Sequence, residues 1–383
     1  MPHCFSSFWR RTHQGGRTPA AAPALSRWSI GLAVIAIAAV LAWPSGGRAA
    51  TAVRLSIRVV VVTTFEVGKD TGDAPGEFQD WVERYPLPAI LAFPQGFRDL
   101  RYNARDHVLG IVTGVGKAHA AASITALGLD PRFDLSKAYW ILAGIAGIDP
   151  AQGSIGSAAW ATHIVDGDLA YEIDGREVPA AWSTGILPYD RDQPFQPPAP
   201  ARDSENGVQA YRLNDGLVNW AYGLTRDLVL PDDAKLQSAR AGYPDFPNAL
   251  KPPFVLKGDT LTADRFWLGT EMTRWAEQWV VYWTEGEGQL ATGAEEDTGF
   301  LQALTFLAKT GRADLTRVLD LRTGSDFTMP PKGIAAADFL KTEAKGDYAG
   351  YDEAIESAYL VGSPVVRELA GHWQHYRRQA PVP

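Results

Sequence analysis

The sequence predicts an α/β protein built around a parallel sheet. Continuous apolar or β-branched runs at residues 53–64, 107–113 and 138–143 are typical of strands that are buried on both faces. An alanine-rich helix is predicted at residues 117–127, between the second and third runs. Strand, glycine turn, helix and strand in this order form a βαβ crossover, which indicates a doubly wound α/β sheet.

The rest of the chain continues this pattern in one domain, predicted at residues 51–383. The remaining predicted elements are a strand at 157–165, a short strand at 280–284, a helix at 296–309, a strand at 316–322 and an amphipathic C-terminal helix from Tyr348 onward. Two proline-rich stretches, near 187–207 and 243–253, are predicted to be surface insertions in this domain.

Residues 1–50 have the composition of a secretory leader. They contain five arginines and no acidic residue, and the apolar run IGLAVIAIAAVLAW ends before small residues around Ala50. A basic start, a short apolar core and a small-residue exit predict a signal peptide and an exported protein, periplasmic or extracellular. An uncleaved membrane anchor is the alternative. No later segment has ~18 consecutive apolar residues, so no further membrane span is predicted.

Charge and cysteine content exclude several classes of partner. The leader holds five of the 36 basic residues and none of the 44 acidic ones, so the chain after it carries a formal net charge of −13. Such a surface repels phosphate backbones, and nucleic acid is therefore not an expected partner. The one cysteine, Cys4, lies in the leader, which excludes disulfides and cysteine metal sites in the mature chain. No cofactor or metal is predicted.

Two glycine turns follow neighbouring predicted strands. The first contains Thr113, Gly114 and Gly116, and the second runs from Ala143 to Asp149. Glycines let a backbone approach a ligand, and ligands of open α/β sheets bind at the carboxyl ends of strands. Plain tight turns and close strand–helix packing are the alternatives for these two segments.

Two acidic pairs occur later in the chain at comparable places. Glu295-Glu296 begins the predicted helix at 296–309, and Ser325-Asp326 follows the strand at 316–322. A carboxylate can accept hydrogen bonds from two sugar hydroxyls. It can also simply complement a helix dipole or form an Asx turn. The chain has no histidine cluster with metal-ligand spacing and no nucleophile elbow.

Taken in order, these segments resemble the nucleoside phosphorylase superfamily, and in particular its purine nucleoside permease branch. The resemblance covers the whole chain after the leader and is carried by TTFEVGKDTGDAPGEF from Thr63, TGVGKAHAA from Thr113, LAGIAGIDPAQGSIGSAAWA from Leu142, GDLAYEIDGREVP from Gly167, DRFWLGT from Asp264, EEDTGFLQAL from Glu295, LRTGSDF from Leu321 and GYDEAIESAYLVGSPVV from Gly350. It implies a three-layer α/β/α sandwich with a mixed, partly barrel-like sheet.

The resemblance also implies a role for particular residues. Beside the sugar it places Thr113, Gly114 and Gly116, and along the base it places Ala143, Gly144 and Ile145. Glu296 would bind the ribose hydroxyls. Asp326 would lie at the purine, where it protonates or hydrogen-bonds N7. Glu295 stands where these proteins usually have methionine. Phe266 and Trp267 would stack on the base or belong to the core.

The sequence departs from the phosphorylase pattern where arginines usually hold phosphate. Val112-Thr113 precedes the first turn, and Gly76-Glu77 stands where a second arginine is expected. Glu77 would repel a phosphate if it faced the site. The turn TGVGKA is closer to hydrolase relatives, which activate water with a glutamate after the first strand. Glu66 is the candidate for that catalytic role.

The predicted function is therefore binding of a purine nucleoside, linked to nucleoside uptake and metabolism, with cleavage of the N-glycosidic bond by hydrolysis in preference to phosphorolysis. A non-catalytic nucleoside-binding protein that assists transport is the alternative. The sequence determines neither the preferred base nor the oligomeric state. A homo-oligomer is one of the states that it allows.

Overall fold

A twelve-stranded mixed sheet runs through the part of the chain that the computed structural model describes, residues 54–204, 207–343 and 348–382. The predicted leader at residues 1–50 lies outside the described residues. Within them, no helix is both long and apolar enough to cross a membrane.

The strands, in chain order, are β1 (Leu55–Ser56), β2 (Val59–Thr63), β3 (Ala89–Leu91), β4 (Leu100–Asn103), β5 (Val108–Val112), β6 (Phe133–Asp134), β7 (Tyr139–Ile148), β8 (Ala158–Trp160), β9 (His163–Asp166), β10 (Ala170–Glu172), β11 (Ile186–Pro188), β12 (Asp203–Ser204), β13 (Gly207–Val208), β14 (Ala210–Arg212), β15 (Val255–Lys257), β16 (Asp259–Thr262), β17 (Leu290–Ala294) and β18 (Val318–Phe327). The α-helices are α1 (Gln79–Arg84), α2 (Lys117–Leu129), α3 (Asp215–Thr225), α4 (Ala234–Arg240), α5 (Thr270–Trp283), α6 (Asp297–Lys309), α7 (Ala336–Glu343), α8 (Tyr351–Gly371) and α9 (Trp373–Tyr376), and a short 3₁₀ helix spans Leu315–Arg317.

Strand β7 is the centre of the sheet. It pairs in parallel with β2 and β18 and antiparallel with β17, and β2 pairs in parallel with β5. The main path runs β14-β9-β16-β17-β7-β2-β5-β4-β3, while β18 connects β7 to β8 and β15. The predicted α/β class with a mixed sheet is confirmed.

Helices cover both faces of this sheet. Trp140 on β7 packs against Phe300 of α6, and α6 packs against α2. Leu321 on β18 lies instead beside Gly362 of α8, which also packs against α1 and α3. Trp140 is paired with Val318, three residues before Leu321, so alternation along the strand places the two contacts on opposite faces. The result is a three-layer arrangement.

Two sequence predictions about local structure are wrong. The strand predicted at 280–284 belongs to α5, where Trp275, Trp279 and Trp283 recur every fourth residue and pack on one another at ring-centroid distances of 5.1 and 5.8 Å. Burial of this tryptophan row outweighs the strand propensity of its β-branched residues. The prediction of a second glycine turn is also wrong, because β7 continues to Ile148 and the glycines of this segment are strand residues.

Other predicted elements differ only in extent. The strand predicted at 157–165 is divided into β8 and β9, which have different partners. The strand predicted at 316–322 continues to Phe327 because β18 follows β7 along its full length, so Ser325-Asp326 lies within the strand. The proline-rich insertion at 243–253 has no regular element, and that at 187–207 carries only short strand segments at its ends.

Candidate functional site

A cavity of about 330 Å³ opens where β2, β7, β17 and β18 approach one another. Ligand sites commonly occupy this edge of an α/β sheet. The cavity is lined by Thr64, Phe65, Glu77, Val115, Ile145, Ala146, Gly147, Phe266, Gly293, Ala294, Glu295, Glu296, Ser325, Asp326, Tyr348 and Tyr351. Four carboxyl groups and four aromatic rings therefore face a common space.

Glu77 is held in this cavity by donors just after β2 and on β7. One of its carboxylate oxygens accepts hydrogen bonds from the N–H of Thr64 at 2.6 Å and from its hydroxyl at 2.8 Å, just beyond β2. The other accepts the N–H of Ile145 on β7 at 2.7 Å. Burial, only partly offset by the charge of Arg322, raises the pKa of Glu77 to about 7. Glu77 can therefore exchange a proton near neutral pH from a fixed position.

Glu296 stands directly before α6, and a buried arginine fixes its orientation. Arg322 of β18 donates from Nη2 to Glu296 at 2.8 Å and from Nε to Asp297 at 2.8 Å. The other oxygen of Glu296 accepts the N–H of Gly116 at 3.2 Å. Burial raises the pKa of Glu296, whereas the guanidinium lowers it. The arrangement presents a preorganised carboxylate to the cavity.

Asp326 lines the cavity from β18. The pairing of β18 with β7 shifts register between Gly324 and Asp326, and this irregularity turns the carboxyl group toward Gly147. Ser325 donates to it at 2.9 Å. Burial raises the pKa of Asp326 to about 7, since only the serine hydroxyl favours its charged form. Asp326 can thus carry a proton near neutral pH.

Glu295 is the fourth carboxyl group, and it differs from the others. Among the described residues it has no hydrogen-bond or ion-pair partner. Burial and the neighbouring charge of Glu296 raise its pKa to about 7, with smaller contributions from Asp264 and Asp168, while Arg322 lowers it.

Aromatic side chains form the remaining walls. Phe65 lies 6.2 Å from Tyr351, whose hydroxyl donates to the carbonyl of Pro75 and so anchors the loop that carries Glu77. Phe266 lies 6.4 Å from Tyr348 near the opening and is 45% exposed. Trp267 does not line the cavity and packs outside it, against Gly293. Such rings provide flat apolar surfaces that suit a planar heterocycle.

The structure brings Ile145, Glu296 and Asp326 together in the cavity, but it places Glu66 elsewhere. All of the hydrogen bonds of the Glu66 carboxylate go to backbone N–H groups, those of Val67, Gly76, Phe78 and Gln79. These contacts shape the 66–79 loop. Glu66 lies outside the lining residues, whereas Glu77, from the same loop, lines the cavity.

The other predicted contacts lie behind the cavity wall. Thr113 is fully buried, and its hydroxyl donates to the Gly114 carbonyl at 3.0 Å. Gly114 has φ +88°, and a Cβ there would meet Phe97 at 2.8 Å. The N–H of Gly116 donates a hydrogen bond to Glu296. Of the first turn, Val115 is the residue that reaches the cavity.

Ala143 and Gly144 are also set back from the cavity. Ala143 is fully buried within β7. A Cβ on Gly144 would lie 2.5 Å from Glu77 Oε1 and 2.7 Å from Arg322 Nη1. Glycine is therefore needed at 144 because a carboxylate and a guanidinium both pass directly over its backbone. This requirement differs from the predicted contact with a base.

Lys117, which follows the first glycine turn, is committed to other carboxylates. Its ammonium group lies 3.1 Å from Asp166 and 2.8 Å from Asp168, and Arg265 also pairs with Asp168. Among the described residues that line the cavity there is no lysine, arginine or histidine. Arg322 lies behind the wall, where it pairs with Glu296 and Asp297.

Sequence reasoning missed Arg322 as a functional residue and gave Glu77 only a repulsive role. A signal for Arg322 was present, since Asp320 and Arg322 place opposite charges at alternate positions of the predicted strand at 316–322. The position of Glu77 depends on the fold of the 66–79 loop, which has no periodic pattern.

Comparison with known proteins gives a consistent family. The family model described as purine nucleoside permease matches residues 56–381. A probable purine nucleoside permease of Schizosaccharomyces pombe is 32% identical over 292 residues, which cover 75% of this chain and 82% of that protein. A purine nucleoside permease of Candida albicans is 27% identical over 297 residues, which cover 77% and 71%.

Solved structures with a similar fold include the futalosine hydrolase of Helicobacter pylori, at 11% identity and a TM-score of 0.48, with 82% of this chain and 98% of that chain covered. They also include a 5′-methylthioadenosine/S-adenosylhomocysteine nucleosidase from Colwellia psychrerythraea in complex with adenine, at 14% identity and a TM-score of 0.47, with coverage of 82% and 95%.

Proposed function

The chain belongs to the purine nucleoside permease family, and we propose that it binds purine nucleosides in the cavity and hydrolyses their N-glycosidic bond. The names of the fungal relatives suggest the ligand class. The observation that carries the proposal is the placement of Glu296, Asp326 and Glu77 at separate points of one aromatic-walled cavity. Export of the chain remains a prediction from the sequence.

Glu296 is suited to hold the ribose. Its two oxygens are oriented by Arg322 and by the N–H of Gly116, yet the side chain still lines the cavity. A carboxylate fixed in this way can accept hydrogen bonds from two adjacent sugar hydroxyls, each worth ~1.5–3 kcal/mol when the acceptor is charged.

Asp326 is suited to protonate the leaving base. With a pKa of about 7 it carries a proton in a large part of the population at neutral pH. As the glycosidic C–N bond breaks, its electron pair passes to the purine. A proton from Asp326 to N7 then neutralises the leaving group, which is ordinary general-acid catalysis.

Glu77 is suited to accept the proton of the attacking water. The water oxygen bonds to the anomeric carbon of an oxocarbenium-like sugar, one water proton passes to Glu77, and free ribose results. The backbone N–H groups of Thr64 and Ile145 hold the carboxylate in one place, so it needs no reorganisation during the reaction.

The charge of the cavity favours water over phosphate as the nucleophile. Phosphate needs cationic donors, whereas the lining residues include four carboxyl groups and the nearby Lys117 is already paired with aspartates. Incubation of the purified protein with adenosine, inosine and guanosine should release base and free ribose at a rate that added phosphate does not change. Ribose 1-phosphate formed at a phosphate-dependent rate would contradict hydrolysis, and binding without turnover would leave only the nucleoside-binding function.

Glu296→Gln should weaken nucleoside binding by one or more orders of magnitude, because it replaces a charged acceptor of two hydroxyls with a neutral amide. The affinity for the free base should change little, since the base does not reach the ribose clamp. Isothermal titration calorimetry with the C-nucleoside analogue of adenosine, which is not hydrolysed, and with adenine gives both values. Equal losses for the two ligands would indicate damage to the fold in place of a lost clamp.

A further inference from the structure

Glu295 lies in the cavity but has none of the tasks of the other three carboxyl groups. Glu77, Glu296 and Asp326 each hold hydrogen bonds from named donors, whereas Glu295 has no partner among the described residues. A buried or half-buried carboxyl group without a partner costs stability, because desolvation disfavours its charged form. No packing or hydrogen-bonding role within the described chain accounts for it.

The surroundings of Glu295 add further negative charge. Glu296 follows it directly, and Asp264 and Asp168 lie close enough to affect its titration. Among the described residues, the cations in this region are committed to other groups: Arg322 pairs with Glu296 and Asp297, Lys117 with Asp166 and Asp168, and Arg265 with Asp168. A ligand that brings a phosphate group to this part of the cavity would meet carboxylates, and the described part of the chain offers it no unpaired cation there.

We propose that Glu295 is a specificity-determining residue that restricts the site to uncharged nucleosides and rejects their phosphorylated forms. The inference rests on the proposed function, because it concerns the ligand of the same cavity. Repulsion between a phosphate dianion and a carboxylate is strong in a partly desolvated cavity, where water screens it poorly. Rejection of a wrong ligand by a like charge is a common route to specificity.

The test compares three ligands by calorimetry at pH 7.5: adenosine, adenosine 5′-monophosphate and 5′-O-sulfamoyladenosine, each as its C-nucleoside analogue, whose C–C glycosidic bond is not hydrolysed during the titration. The sulfamoyl compound is close to the monophosphate in size but is neutral, so it separates charge from steric exclusion. For the unaltered protein we expect the monophosphate to bind at least 100-fold more weakly than adenosine. The sulfamoyl compound should bind within about tenfold of adenosine, since repulsion acts on the charge alone.

Glu295→Gln should reduce the ratio of the dissociation constant of the monophosphate to that of adenosine at least tenfold. The affinity for adenosine should stay nearly unchanged. Glu295→Ala gives a second measurement of the same ratio, because it also removes the charge. The matched control is Glu271→Gln, which changes net charge equally at an exposed position on α5. This control should leave the ratio as it is.

Three results would overturn the inference while adenosine binding is retained: equal binding of adenosine and its monophosphate, rejection of the sulfamoyl compound as strong as that of the monophosphate, or an unchanged ratio in both Glu295 variants. Failure of the unaltered protein to bind any nucleoside would instead overturn the proposed function, and the inference with it.

Discussion

Glu77→Gln should lower kcat for nucleoside hydrolysis by about 10²–10⁴-fold, which is the usual contribution of a general base. The affinity for nucleoside should change only a few-fold, because in the proposed mechanism Glu77 contacts the attacking water and not the ribose clamp. Single-turnover rates with adenosine and calorimetric dissociation constants for its non-hydrolysable C-nucleoside analogue separate these two effects.

The matched control is Glu66→Gln. Both glutamates lie in the 66–79 loop and accept hydrogen bonds from backbone N–H groups, so both substitutions disturb the loop in a similar way. Only Glu77 lines the cavity. If Glu66→Gln lost as much activity as Glu77→Gln at equal thermal stability, the assignment of Glu77 would be wrong and the sequence prediction of Glu66 would be favoured.

The dependence of the hydrolysis rate on pH gives a second test of Glu77→Gln. Hydrolysis needs Glu77 ionised and Asp326 protonated, and burial raises the pKa of each to about 7. For the unaltered protein the rate should therefore rise with pH as Glu77 loses its proton and fall as Asp326 loses its own, with a maximum near neutral pH. In Glu77→Gln the acidic limb should disappear while the alkaline limb remains. An unchanged acidic limb would assign that titration to another group.

The α/β class was predictable because fully buried strands have a strong local signature. Runs such as Val59–Val62 are continuous and β-branched, and a helix with a glycine turn separates two of them. The wrong prediction of a strand at residues 280–284 has an equally local cause, since a short β-branched segment is compatible with a strand or a helix. Only the spacing of Trp275, Trp279 and Trp283 identifies the helix.

The candidate site was less predictable, because its geometry comes from contacts between distant segments. Glu296 and Asp326 could be chosen from resemblance, since each stands in a short motif at the end of a predicted element. The selection of Glu77 over Glu66 depends on how an aperiodic loop folds back onto β2 and β7. The resemblance implies that Gly144 contacts the base, whereas in the structure its small size admits Glu77 and Arg322.

Arg322 connects the chemistry of the site to the stability of the fold. It is 1% exposed and lies among Glu296, Asp297 and Asp320, all of them buried. Burial alone would lower the pKa of its guanidinium, but these carboxyl groups raise it well above its ordinary value. Burial and the neighbouring Asp297 in turn raise the pKa of Asp320. The guanidinium is therefore the positive charge that makes burial of Glu296 and Asp297 tolerable.

Arg322→Met should accordingly reduce the free energy of unfolding by ~3–5 kcal/mol at pH 7, because it leaves buried carboxylates without a counter-charge. Urea unfolding measures this loss. Arg317→Met is the control. Arg317 is also buried, just before β18, but its partner Asp314 is 25% exposed and can be solvated. The free energy of unfolding should therefore fall by less than in Arg322→Met.

The loss caused by Arg322→Met should also depend on pH. Without the guanidinium the carboxyl groups of the folded variant bind protons more readily, so the variant should recover stability relative to the unaltered protein as pH falls from 7 to 5. The deficit at pH 5 should therefore be smaller than at pH 7. A deficit that is equal at both pH values, or no larger than that of Arg317→Met, would mean that Arg322 contributes through packing and not as the counter-ion of the buried carboxylates.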